Sequence, residues 1–178
     1  MSKDKLLEQL LILRCQLRDR GALAELIARY EKPLRYFIGG LVEDHQLAEE
    51  LFQETWLSVI SKIHTLKKAD AFSTWLYRIA RNKVYEQLRA KREFVELDED
   101  MTAVNADDYE PSLCDDVVRL HRCLTRLKPQ YKELLMLRFL EQMPYQQIAE
   151  VLSCNLGTVK SRLHHAKLAL KEEMEKHS

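Results

Sequence analysis

The chain has 178 residues, enough for one or two compact domains, with 28 basic and 28 acidic side chains, zero formal net charge, four glycines and four prolines. Leu, Ala, Glu, Lys, Arg and Gln dominate and lose little rotamer freedom in a helix, so an all-α chain is expected. The N-terminal MSKDKLLEQLLILRCQLRDR has charges too closely placed for a signal-peptide core, and no apolar run approaches bilayer-spanning length. A cytoplasmic protein without membrane insertion follows as the expectation.

Taken in chain order, Leu6, Leu7, Leu10, Leu11 and Leu17 predict a first amphipathic helix. Ala22 to Tyr30 predict a second, and Pro33 suits the first turn of a third. Gly39 and Gly40 weaken the helix around them, and the charges of Glu43 and Asp44 precede the next one. That helix spans Gln46 to Ile63, with an apolar stripe of Leu47, Leu51, Val59 and Ile63 and an acidic side of Glu49, Glu50, Gln53 and Glu54. The basic loop HTLKKAD then leads into FSTWLYRIARNKVYEQLRAKR, helical from Thr74 onward.

Residues 96–118 hold nine acids and no bases, between a balance of +4 over residues 1–95 and +5 over residues 119–178. Like charges without apolar periodicity predict an acidic flexible linker over residues 96–116, separating helical domains at 1–95 and 117–178. The second domain reads as four helices. Val117, Leu120, Leu124 and Leu127 define the first; Pro129 stops it and opens PQYKELLMLRFLEQ. PYQQIAEVL, a break at SCN, and LGTVKSRLHHAKLALKEEMEK complete a helix-turn-helix pattern.

Both basic helices divide by face. In residues 156–171 Val159, Leu163, Ala166 and Leu170 recur as one buried stripe. The other side carries Thr158, Lys160, Ser161, Arg162, His164, His165 and Lys167, donors suited to base edges and phosphates of duplex DNA. A solvated basic helix is the competing reading, and the preceding IAEVL and short turn favour DNA. In the earlier helix Leu76, Ile79, Ala80, Val84 and Leu88 form a core face, while Arg78, Arg81, Asn82, Tyr85, Arg89 and Arg92 lie opposite, with Trp75 at the edge. Cations track a backbone and aromatic faces receive unpaired bases, a pattern suited to single-stranded nucleic acid. For Trp75 and Tyr77 a plain core role stands beside that reading.

The four cysteines, Cys15, Cys114, Cys123 and Cys154, are scattered without a CxxC pair, and reduced thiols are expected rather than a disulfide frame or metal site. Two alternatives stay open from the residues. One is an ordinary helix-turn-helix regulator, which has no use for Asn82 or the aromatics. The other is an enzyme or metal sensor using His121, Cys123 and Cys154, for which the chain has no paired-carboxylate, triad or ligand spacing.

In this order the pieces resemble, over nearly the whole chain, the extracytoplasmic-function (ECF) class of bacterial RNA polymerase sigma factors. LAEELFQETWLSVI is similar to the family's core-polymerase-binding helix and FSTWLYRIARNKVYEQLR to its promoter-melting helix. LKPQYKELLMLRFLEQMPYQQIAEVLSCNLGTVKSRLHHAKLAL is similar to its promoter-reading domain. The resemblance implies a non-catalytic protein without cofactor or metal, whose partners are core polymerase, promoter DNA and an anti-sigma factor. It implies polymerase binding through Glu49, Glu50, Leu51, Gln53 and Glu54, and a flipped-base pocket at Asn82 with Leu66, Lys67 and Lys68 in its loop. For the minus-thirty-five duplex it implies contacts by Lys160, Ser161, His164 and His165, with Arg162 at a phosphate. Lys68 and Ala69 depart from the glycine and acidic residue frequent in relatives, and Gln142 and Pro144 from a glycine and serine.

Overall fold

A computed structural model describes residues 3–95 and 115–176. Eight α-helices among them form two clusters. The first contains α1 (Lys3–Gln16), α2 (Arg20–Leu41), α3 (His45–Lys62) and α4 (Phe72–Val95). The second contains α5 (Asp115–Thr125), α6 (Pro129–Leu135), α7 (Tyr145–Leu152) and α8 (Leu156–Lys176). Residues 96–114 of the expected acidic linker lie outside the described residues.

The expected break before Pro33 does not occur: α2 is one helix of 22 residues with the proline inside it. An interior proline removes a backbone hydrogen bond and costs about 3 kcal/mol. Ala22, Leu26, Tyr30, Leu34, Phe37, Ile38 and Leu41 are all buried along this helix. Each large apolar side chain among them contributes about 1.5–3 kcal/mol, so burial outweighs the proline. Asp19 starts the helix by accepting the Ala22 N–H at 3.1 Å.

α1 also departs from expectation. Ile12 and Cys15 are its buried residues, while Leu6, Leu7, Leu10, Leu13 and Leu17 face outward. Apolar residues lie nearly all round this helix, so periodicity alone does not choose the face. Polar anchoring chooses it: Tyr30 Oη donates to Glu8 at 2.8 Å and Arg29 pairs with Glu8 at 3.2 Å. α3 begins where expected, with Asp44 accepting the Gln46 and Leu47 N–H groups at 2.9 and 3.2 Å.

In the second cluster α6 runs into a π turn, Met136–Leu140. α7 follows Pro144 and ends on Ser153, which takes a left-handed conformation with φ of 51°. Asn155 then caps α8, its Oδ1 accepting the Thr158 N–H at 2.7 Å.

The buried residues of the two clusters join in one apolar core. α2 packs on α6 and α4 packs on α7. At the first contact a β-carbon on Gly40 would stand 2.9 Å from Met136 Sδ, so a side chain there must shift the flexible end of that buried methionine. Beside it the rings of Tyr36 and His121 meet edge to face, 5.7 Å between centroids.

Candidate nucleic-acid interface

α4 sorts its residues much as the sequence suggests. Leu76, Ala80 and Val84 are buried, with Ile79 and Leu88 half-buried beside them. Tyr77 joins this core face, its ring edge-on to Phe37 at 5.1 Å. Trp75 is half-buried against Phe72, ring centroids 6.0 Å apart. Arg78, Asn82 and Arg89 stand exposed along the opposite side. The Arg92 side chain lies outside the described residues.

The loop before α4 places Lys67 and Lys68 in solvent and leaves Leu66 half-buried. A residue that sequence reasoning missed fixes this loop. Gln16, at the end of α1, donates from Nε2 to the Ile63 and Leu66 carbonyls at 3.0 and 2.8 Å. Nothing local in the sequence signals a tie between residues so far apart.

Arg81 and Tyr85 differ from their exposed neighbours. Arg81 Nε donates to Glu133 Oε2 at 3.0 Å, and its guanidinium lies over the Tyr85 ring, 4.5 Å from the centroid. Glu133 belongs to α6 of the other cluster, and its side chain is only 2 % exposed. Burial pushes the Glu133 carboxyl above its ordinary range, and Arg81 pulls it back. Burial, with the Glu133 charge adding to it, pushes the Tyr85 phenol up to about 12. These two expected strand-binding residues are therefore engaged between the clusters.

On α3, Glu50, Gln53 and Glu54 are exposed. Glu49 pairs with Arg35, and Glu54 with Lys83 at 3.2 Å. Leu51 is 1 % exposed, so it seats the helix and does not face a partner in this fold. Leu57 and Ile60 were absent from the expected surface, yet they are 66 % and 45 % exposed. They continue the Gln53 face at helical spacing, a signal readable once the buried stripe of Leu51, Thr55 and Val59 is known.

α8 buries Val159, Leu163 and Ala166 and exposes Lys160, Ser161, His164 and His165. The two imidazoles touch edge to face at 5.6 Å. Thr158 is half-buried and its hydroxyl donates to the capping Asn155 at 2.9 Å, so it shapes the helix start. Arg162 is half-buried and acts electrostatically on both Glu133 and Tyr85. Among the described residues no group of three or more His, Cys, Asp or Glu is placed to hold a metal ion. Cys15 and Cys123 are buried free thiols.

The Sigma-70 region 2 family model matches residues 26–94, and the Sigma-70, region 4 model matches residues 118–170. The ECF RNA polymerase sigma factor SigW of Bacillus subtilis is 26 % identical, over 88 % of this chain and 90 % of its own. The chain belongs to the ECF class of sigma factors. This sigma factor is also similar to the RNA polymerase sigma-H factor of Pseudomonas aeruginosa, 29 % identical over 94 % of both chains. Its fold matches the sigma factor RpoE solved in complex with the anti-sigma factor NepR from Bartonella quintana. There the TM-score is 0.75 at 25 % identity, over 85 % of this chain and 96 % of that one. As a member of the class it binds core RNA polymerase and directs it to promoters for transcription initiation. No described helix is long and apolar enough to cross a membrane.

Proposed function

We propose that this sigma factor divides promoter recognition between its two clusters, residues 1–95 and 117–178. The first takes the unpaired non-template strand of the minus-ten element, with Arg78 and Arg89 on the backbone and Asn82 facing a flipped base. Lys67 and Lys68 flank that base from the loop. The second reads the minus-thirty-five element as duplex through Lys160, Ser161, His164 and His165. The observation that carries this reading is the exposure of Arg78, Asn82 and Arg89 along one side of α4, with Lys67 and Lys68 at its head. A strand with splayed bases needs cations on its backbone and a polar group for a base edge, whereas a duplex offers edges only within a groove.

Core polymerase binds α3 through Glu50, Gln53 and Glu54 together with the exposed Leu57 and Ile60, an apolar centre within a polar rim. An anti-sigma protein regulates the chain, as supported by its likeness to a sigma factor solved with one. The protein works in the cytoplasm, where polymerase and promoters are found. Run-off transcription with core polymerase, in the presence and absence of this protein, tests the reading. Asn82→Ala then lowers opening of duplex promoters and leaves polymerase-free duplex binding intact, while Lys160→Ala does the reverse. Equal losses from both substitutions in both assays would refute the division.

A further inference from the structure

Arg81 and Tyr85 lie on the proposed single-strand face but do not share the exposure of Arg78, Asn82 and Arg89. Arg81 forks toward one carboxylate, with Nε 3.0 Å from Glu133 Oε2 and Nη2 3.5 Å from Oε1. Its guanidinium covers the Tyr85 ring. From the duplex-reading helix, Arg162 adds its charge to the same carboxylate. A single buried glutamate thus draws on groups from both expected DNA faces.

A carboxylate offers arginine the planar pair of oxygens that a phosphodiester offers. We propose that Glu133 is an internal stand-in for a DNA phosphate. By occupying Arg81, and through it Tyr85, α6 keeps the single-strand face incomplete until the clusters separate. The inference rests on reading α4 as that face. The choice of residue fits a reversible contact. An apolar side chain at a position 1 % exposed would stabilise the closed form at least as well as a buried ion pair. It would also leave an apolar surface after opening, whereas Glu133 and Arg81 both regain water when parted. Gly40, the close approach to Met136, lies at a second contact between the clusters and outside either expected DNA face.

The test uses the full chain without polymerase and a fluorescent mixed-sequence single-stranded oligonucleotide, with affinity read by anisotropy and opening by small-angle scattering. Glu133→Gln removes the charge, and Gly40→Leu wedges the contact while favouring helix. If closure holds about nine-tenths of the molecules, each variant expands the protein and tightens oligonucleotide binding about tenfold. Adding Arg81→Ala to either variant removes that gain. Circular dichroism reports helix content, and if Glu133→Gln loses it, Gly40→Leu alone decides. Unchanged size with unchanged affinity overturns the latch. Expansion without tighter binding overturns the reading of α4 beneath it, and a gain that survives Arg81→Ala overturns the role given to Arg81.

Discussion

Replacing Gln16 with alanine asks whether the loop ahead of α4 works because it is held in place. The side-chain amide ties the end of α1 to the Ile63 and Leu66 carbonyls at 3.0 and 2.8 Å, just before Lys67 and Lys68. A hydrogen bond between neutral groups contributes about 0.5–1.5 kcal/mol net, so the two together hold the loop by about 1–3 kcal/mol. Both bonds are only partly buried, and water replaces the amide in part, which selects the low end of the range. A loss of about 1–1.4 kcal/mol lowers the equilibrium constant for setting the loop roughly five- to tenfold, which is the upper limit on the fall in the share of correctly set loops. On a promoter that the run-off assay shows to be used, permanganate reactivity measures the open complex. Gln16→Ala should reduce it measurably and by no more than about that factor, with core-polymerase affinity and duplex binding by α8 unchanged. An unaltered yield of open complex would refute the reasoning, as would a matching loss of polymerase affinity.

Three further outcomes follow from buried groups. The Thr74 hydroxyl is buried without a hydrogen-bond partner, so the near-isosteric Thr74→Val should stabilise the protein by about 1 kcal/mol in chemical denaturation; a loss of stability would contradict this. Leu163 lies in the core beneath the duplex-reading face, and Leu163→Ala should destabilise by about 2–5 kcal/mol and abolish polymerase-free duplex binding. Burial, with Lys132 nearby, holds His121 below its ordinary 6.5, so the unfolded chain takes up the proton first on acidification. Its stabilising share is complete above that value and is lost as pH falls below it. His121→Phe should therefore lose less stability than the parent between about pH 7.5 and about pH 5.5, and an equal loss would count against it.

The stripe of Val159, Leu163 and Ala166 was legible because a helix with one apolar face repeats its pattern within a few residues. Asp44 was legible as an approaching helix start for the same local reason. Pro33 misled because a local penalty competes with burial supplied by other helices, and no window around the proline contains them. The leucines of α1 misled because apolar residues surround that helix, so distant polar anchors, Arg29 and Tyr30 against Glu8, choose the inward face. The exposed part of the α4 surface could be drawn on a helical wheel, but Gln16 and Glu133 could not. Both act through contacts between segments about 50 residues apart in the chain, which only the fold brings together. Glu133, moreover, reads in sequence as an ordinary surface acid between tyrosine, lysine and leucines.

The pairing of Arg81 with Glu133 has a consequence for competition among ligands. Because both residues belong to one chain, their encounter is unimolecular and does not weaken when the protein is diluted. The carboxylate behaves as a competitor at an effective concentration on the order of millimolar. At nine-tenths closure, stray nucleic acid binds at Arg81 about tenfold more weakly, whether the cell holds few copies of the protein or many. A partner that held the two clusters apart would release Arg81 without outbidding the carboxylate for arginine, because it would lower that effective concentration itself.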